Sequence, residues 1–134
     1  MDATVLRVIL AAALAALLYA AYRAMTAAVL SRAARKASRL RAFTPGTPGI
    51  LYFTTPDCVT CKAAQKPALR ELTRRLSGGV QVIEVDAADD AALAREWSVL
   101  SVPTTFVLDR SGKPRQVNHG FASTDKLLGQ LAAL

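Results

Sequence analysis

The chemistry-bearing residues stand in "TTPDCVTCKAAQKPAL", where Cys58 and Cys61, the only cysteines in 134 residues, are separated by Val59 and Thr60. Free thiols are mostly protonated near neutral pH, so a working cysteine needs a neighbour that favours thiolate. Cys58 opens a helical pattern, where unpaired backbone N–H groups and the helix dipole stabilise negative charge. Lys62 adds to this, whereas Asp57 opposes it or caps the helix. Cys61 lies one turn deeper, within reach of a mixed disulfide formed at Cys58. That spacing suits reversible exchange with a substrate disulfide. Two other readings stay open. A closed zinc site takes four ligands, and only His119 and carboxylates remain to complete one, although a soft metal such as copper suits a cysteine pair. A structural staple over so short a loop removes little unfolded-state entropy.

Elements must position the pair. "ILYFTT" reads as a buried strand between the breaker "TPGTPG" and Pro56. "CVTCKAAQKPALRELTRRL" changes to a helical pattern, with Ala64, Leu69, Leu72 and Leu76 recurring at roughly helical spacing and Gly78 and Gly79 closing it. "VQVIEVD" is a second strand and "DDAALAREW" a helix opened by Asp89 or Asp90. "TTFVLD" and "RQVNHGF" flank the turn "RSGK", and "STDKLLGQLAAL" is a final helix capped by Ser123 or Thr124. This order predicts a mixed α/β sheet with helices on both faces. Trp97 and Phe106 fall on core patterns.

Residues 49–134 resemble the thioredoxin family in the strand "ILYF" leading into Cys58-Val-Thr-Cys61, the helix proline, "VIEVD", "SVPTTFVLD", the hairpin "DRSGK" and Gly120 before the last helix. The resemblance implies a thioredoxin-like fold with a mixed central sheet flanked by helices, and no organic cofactor. It implies that Cys58 attacks, that Cys61 resolves, and that Pro103 follows a cis bond. A cis turn would leave the Val102 backbone N–H and C=O free to pair with an extended substrate segment. The implied activity is protein-disulfide oxidoreductase, with protein thiols and disulfides as partners and a separate electron donor.

The chain departs from the family's pattern at several places. Asp57 stands where the family commonly has Trp, and Val59-Thr60 where it has Gly-Pro. Tyr52 and Val82 are assigned to the places of a buried Asp and a Lys on the next strand that assist proton transfer to the resolving thiol. Glu84 is a candidate proton acceptor or a plain strand-end carboxylate. His119 is read as a surface histidine near a strand end. Pro67 lies one residue further from the second cysteine than is usual, which predicts an extra residue absorbed between Cys61 and Pro103.

Upstream, residues 4–22 are mainly apolar, with Arg7 the only charge and Val8–Tyr22 uncharged, close to the roughly 20 residues that span a bilayer as a helix when Arg7 reaches toward the headgroups. A cleavable signal is the rival reading, disfavoured by the weakly basic start "MDATVLR". The formal charge of +7 is concentrated in Arg23, Arg32, Arg35, Lys36, Arg39 and Arg41, with no acid among them, whereas residues 42–134 hold ten Lys/Arg against nine Asp/Glu. A nearly neutral domain argues against a nucleic-acid partner. Arg32, Arg35, Lys36 and Arg39 share one face of a helix, with Ala33, Ala37 and Leu40 on others, and are expected to meet anionic headgroups. The expected organisation is a transmembrane anchor at 1–22, a basic juxtamembrane helix and Pro/Gly linker at 23–48, and a thioredoxin-like domain at 49–134. The charge asymmetry favours a single-pass membrane protein with its domain in the cytoplasm, whereas many tethered relatives face outward; a monomer is expected. Two rival functions are a membrane-tethered copper-binding module and a redox-inactive thioredoxin-fold scaffold.

Overall fold

The computed structural model describes residues 2–36 and 40–134. The chain runs α1 (Ala3–Lys36), β1 (Gly49–Thr54), a π-helical turn (Cys61–Gln65), α2 (Lys66–Arg75), β2 (Gln81–Asp86), α3 (Ala91–Glu96), β3 (Thr104–Leu108), β4 (Pro114–His119) and α4 (Thr124–Ala132). β1, β2 and β3 coincide with apolar runs in the sequence, and β4 with the expected short strand "RQVNHGF". The helix starts follow the expected caps: the Asp90 carboxylate accepts from the Leu93 N–H and the Ser123 hydroxyl from the Lys126 N–H.

The sheet order is β2-β1-β3-β4, with β1 parallel to β2 and antiparallel to β3, and β3 antiparallel to β4. β1 is buried along its whole length, as expected for a central strand covered on both faces. On one face Ile50, Tyr52, Cys61, Leu69, Leu72, Val107, Ala122 and Leu127 pack beneath α2 and α4. On the other, Leu51, Phe53, Ala94, Trp97, Phe106, Leu108 and Val117 form the core, with Phe106 edge-on to both Trp97 and Phe53. This is the thioredoxin fold implied by the resemblance.

The second face holds a departure from the expected organisation. The apolar and basic segments form one 34-residue helix. Thr26, Leu30 and Ala34 are partly buried, while Val29 and Ala33 belong to the core. Their spacing of three and four residues makes a stripe that lies on the sheet. Residues 23–36 are therefore more than a linker, because the same turns that carry Arg32 and Arg35 outward bury Val29 and Ala33. Ala37, Arg39 and the side chain of Lys36 lie outside the described residues. Before Thr26 the helix is exposed throughout, and one 18-residue window has mean hydropathy 2.1 with none of it buried. That helix is a transmembrane candidate by length and composition.

Beyond α1 the chain is anchored at the β3–β4 turn. Leu40 and Phe43 pack against the core, and the Gly46 N–H donates to the Arg110 carbonyl at 2.8 Å. Gly112 has a φ of +86° and faces the Phe43 ring, from which a Cβ would stand only 2.9 Å. A side chain there would therefore face both backbone strain and a clash.

Candidate functional site

β1 delivers the cysteine pair to one end of the sheet. Phe53 pairs with Thr104 near that end, while Gly49 pairs with Leu108 near the β3–β4 turn. Residues 55–57 leave the sheet, the Cys58 N–H donates to the Thr55 carbonyl at 3.2 Å, and the helix begins at Val59. Cys58 and Cys61 are disulfide-bonded, with Cα atoms 5.2 Å apart. The Cys61 N–H donates to Cys58 Sγ at 3.1 Å. Cys58 is half-buried, whereas Cys61 is fully buried against Tyr52 and the α2 core. The two sulfurs therefore differ in access.

The extra residue before Pro67 is absorbed by the π turn at Cys61–Gln65, after which Pro67 sits in the first turn of α2. A π turn inserts one residue into a helix without ending it. Proline is tolerated in a first helical turn, where its missing N–H is not needed.

The loop opposite the pair carries Val102 and Pro103, joined by a cis peptide bond. The Thr104 hydroxyl donates to the Ser101 carbonyl at 2.6 Å, and the Gly120 N–H donates to the Pro103 carbonyl at 2.8 Å. Val102 packs against both core clusters. Three exposed apolar side chains surround this end: Val59 between the cysteines, Leu100 before the cis bond and Phe121 after Gly120.

Tyr52 is fully buried on the Cys61 side of the sheet, and its hydroxyl has no hydrogen-bond partner among the described residues. Burial pushes the Tyr52 phenol above its usual range, the nearby Thr54 side chain opposes this, and the Glu84 carboxylate adds to it. The residue beside Tyr52 on the next strand is Glu84, while Val82 pairs with Ile50. Glu84 is ion-paired with Lys66 at 3.0 Å, both partly exposed. His119 is exposed at the end of β4, opposite Thr104. Among the described residues, no group of three or more His, Cys, Asp and Glu side chains is arranged to hold a metal.

Gln65 is a buried polar residue that sequence reasoning passed over. It is fully buried and exchanges two hydrogen bonds with Ala122, whose loop carries Phe121. The signal was present: Cys61, Gln65, Leu69 and Leu72 share one face of the helix, so an amide stands in an apolar stripe.

The thioredoxin family model matches residues 39–133. Thioredoxin of Bacillus subtilis is 28% identical over 75 residues, covering 56% of this chain and 70% of that protein. The chloroplastic thioredoxin Y of Oryza sativa is 25% identical over 84 residues, 63% of this chain and 49% of the relative. The structure of thioredoxin-2 of the malaria parasite superposes with a TM-score of 0.60 at 24% identity, over 70% of this chain and all of that one, a likeness of fold. The family match, together with a disulfide-forming Cys58–Cys61 pair, supports thiol–disulfide oxidoreductase chemistry in general. With the model covering the greater part of its length, the chain belongs to the thioredoxin family.

Proposed function

We propose that the protein is a membrane-tethered thiol–disulfide oxidoreductase that exchanges electrons with protein substrates, with Cys58 as nucleophile and Cys61 as resolving thiol. The observation that carries this reading is the difference in access between a half-buried Cys58 and a fully buried Cys61. A substrate disulfide can approach the first sulfur, and only an internal attack can use the second. The Cys61 N–H, 3.1 Å from Cys58 Sγ, is placed to stabilise negative charge there once the pair is reduced.

In the reducing direction, the Cys58 thiolate attacks a substrate disulfide, forming a mixed disulfide and releasing one substrate thiolate. Cys61, deprotonated, then attacks Cys58 Sγ, which restores the Cys58–Cys61 disulfide and releases the second substrate thiolate. Two electrons pass to the substrate, and a donor dithiol returns them to the protein. The Val102 backbone beside the pair supports a role in holding an extended substrate segment by main-chain hydrogen bonds, with Pro103 setting the direction of that loop.

The tether is α1. Ala3 to Tyr22 corresponds to about 30 Å of helix, the thickness of a hydrocarbon core. Arg23 lies over the Tyr19 ring at 6.0 Å and donates to its hydroxyl at 3.4 Å, and Tyr22 is adjacent, residue types favoured at a membrane interface. The excess of cations after the span supports a cytoplasmic domain. The functional test is turnover of a protein disulfide by the full-length protein in the presence of a dithiol donor. Turnover abolished by Cys58→Ser is the expected result, and an unaffected rate in that variant overturns the reading.

A further inference from the structure

The direction in which α1 enters the fold fixes where the cysteine pair stands relative to a membrane. α1 hands over to Leu40 and Phe43 at the β3–β4 turn, where Phe43 covers Gly112 and Gly46 is bonded to Arg110. β1 then runs away from that turn, from Gly49 opposite Leu108 to Phe53 opposite Thr104, and on to Cys58. Before reaching that turn α1 packs along β4, which itself runs from the turn at Pro114 to His119 opposite Thr104, and against α3. The N-terminal side of α1 therefore points toward the Cys58 end.

Lengths place the two ends at the same level. From Ala33 in the core back to Arg23 the helix rises about 15 Å. A strand of five or six residues covers about 17–20 Å. Backtracking along α1 from the β3–β4 turn thus reaches the Cys58 end of the sheet near Arg23. The exposed apolar span begins there, marked by Tyr19, Tyr22 and Arg23. Since span and docked turns are one uninterrupted helix, the domain cannot swing freely about its anchor. The exposed side chains of Val59, Leu100 and Phe121 lie at this same end.

We propose that the Cys58–Cys61 end of the domain is held facing the bilayer surface, so that its substrates are disulfides in extended juxtamembrane segments of other membrane-embedded proteins. This rests on the membrane-tethered oxidoreductase reading above. A juxtamembrane segment emerges from the bilayer at the height of the pair, can lie along the Val102 backbone, and offers apolar side chains to Val59, Leu100 and Phe121. A disulfide carried far above the bilayer meets instead the β3–β4 end of the domain, which holds no thiol.

The test uses full-length protein in vesicles that also contain two single-span reporters. One carries its disulfide about five residues from the span, and the other carries the same disulfide on a rigid helical stalk of about 60 Å. Both reporters share each vesicle, so their rate ratio is independent of protein orientation. A variant with a long Gly/Ser insertion between Arg23 and Ala24 frees the domain, and a soluble protein disulfide in detergent measures intrinsic activity. The expected result is reduction of the juxtamembrane reporter about tenfold faster than the stalked one, with that preference lost on insertion while the detergent rate is unchanged. Equal rates for the two reporters, a preference that survives the insertion, or reduction of the soluble disulfide alone overturns this inference and leaves the oxidoreductase reading standing. Failure to reduce any of the three disulfides overturns both.

Discussion

Gln65 and Ala122 are joined by a reciprocal pair of hydrogen bonds, Gln65 Nε2 donating to the Ala122 carbonyl at 3.0 Å and the Ala122 N–H donating to Gln65 Oε1 at 2.9 Å. Both residues are fully buried, so the π turn after Cys61 is tied to the loop carrying Gly120 and Phe121. Gln65→Leu leaves the Ala122 N–H and C=O without partners away from water. The expected cost is about 2–4 kcal/mol, read as a shift in the denaturant midpoint at constant slope. An unchanged midpoint would show that the loop finds other partners.

Tyr52 presents the opposite case, a buried hydroxyl with no partner among the described residues. Removing it forfeits at most a weak contact with the Thr54 side chain, so Tyr52→Phe is expected to change stability by less than about 1 kcal/mol. Tyr52→Asp places a carboxylate in the same buried strand, beside the acidic Glu84, and is expected to cost more than about 3 kcal/mol at neutral pH. Parallel unfolding curves decide it; a marked loss for the phenylalanine variant would mean the hydroxyl is satisfied.

The docked turns of α1 contribute core to the domain through Val29 and Ala33. A fragment of residues 44–134 therefore exposes the face of Leu51, Phe53 and Phe106 that a fragment of residues 24–134 keeps covered. The shorter fragment is expected to unfold at lower denaturant and to bind a hydrophobic dye more strongly. In the longer fragment, Ala33→Asp is expected to cost at least about 2 kcal/mol, because it buries a charge. Matching unfolding curves for the two fragments would show that α1 docking adds nothing.

Asp109 gives the fold an acid-sensitive turn. Burial raises its pKa, but hydrogen bonds from the Ser111 and Arg115 side chains and from the Lys113 and Ser111 N–H groups outweigh burial and hold it at about 2. A folded pKa below the unfolded one gives stability that is present above about pH 4 and lost as pH falls toward 2. Asp109→Asn is expected to be less stable than the parent at pH 7, with the difference shrinking over that window. A difference independent of pH between 7 and 2 would contradict the assignment.

Much of this was legible in the sequence. Buried strands announced themselves as short apolar runs between breakers, and Asp90 and Ser123 marked helix starts because their side chains accept from orphan N–H groups. The extra residue before Pro67 was visible as a spacing, and the π turn is its physical form. Three features were hidden. The stripe of Thr26, Val29, Leu30, Ala33 and Ala34 is masked by an alanine-rich helix that is apolar on several sides and by cations that share its turns. The neighbour of Tyr52 depended on strand register, where a shift of two residues exchanges Val82 for Glu84 on the same face. Gln65 stands visibly in an apolar stripe, but its partner Ala122 lies 57 residues away in sequence, so the bond between them was not legible.

The division of labour between the two thiols is the central claim, and trapping tests it most directly. Cys61→Ser leaves the accessible attacking sulfur and removes the resolving one, so full-length protein incubated with a disulfide-bonded protein substrate should accumulate a mixed disulfide, mapped by mass spectrometry to Cys58. Cys58→Ser should form little or none, since Cys61 is buried. Equal trapping at Cys61 in the Cys58→Ser variant, or none in either, would contradict the account.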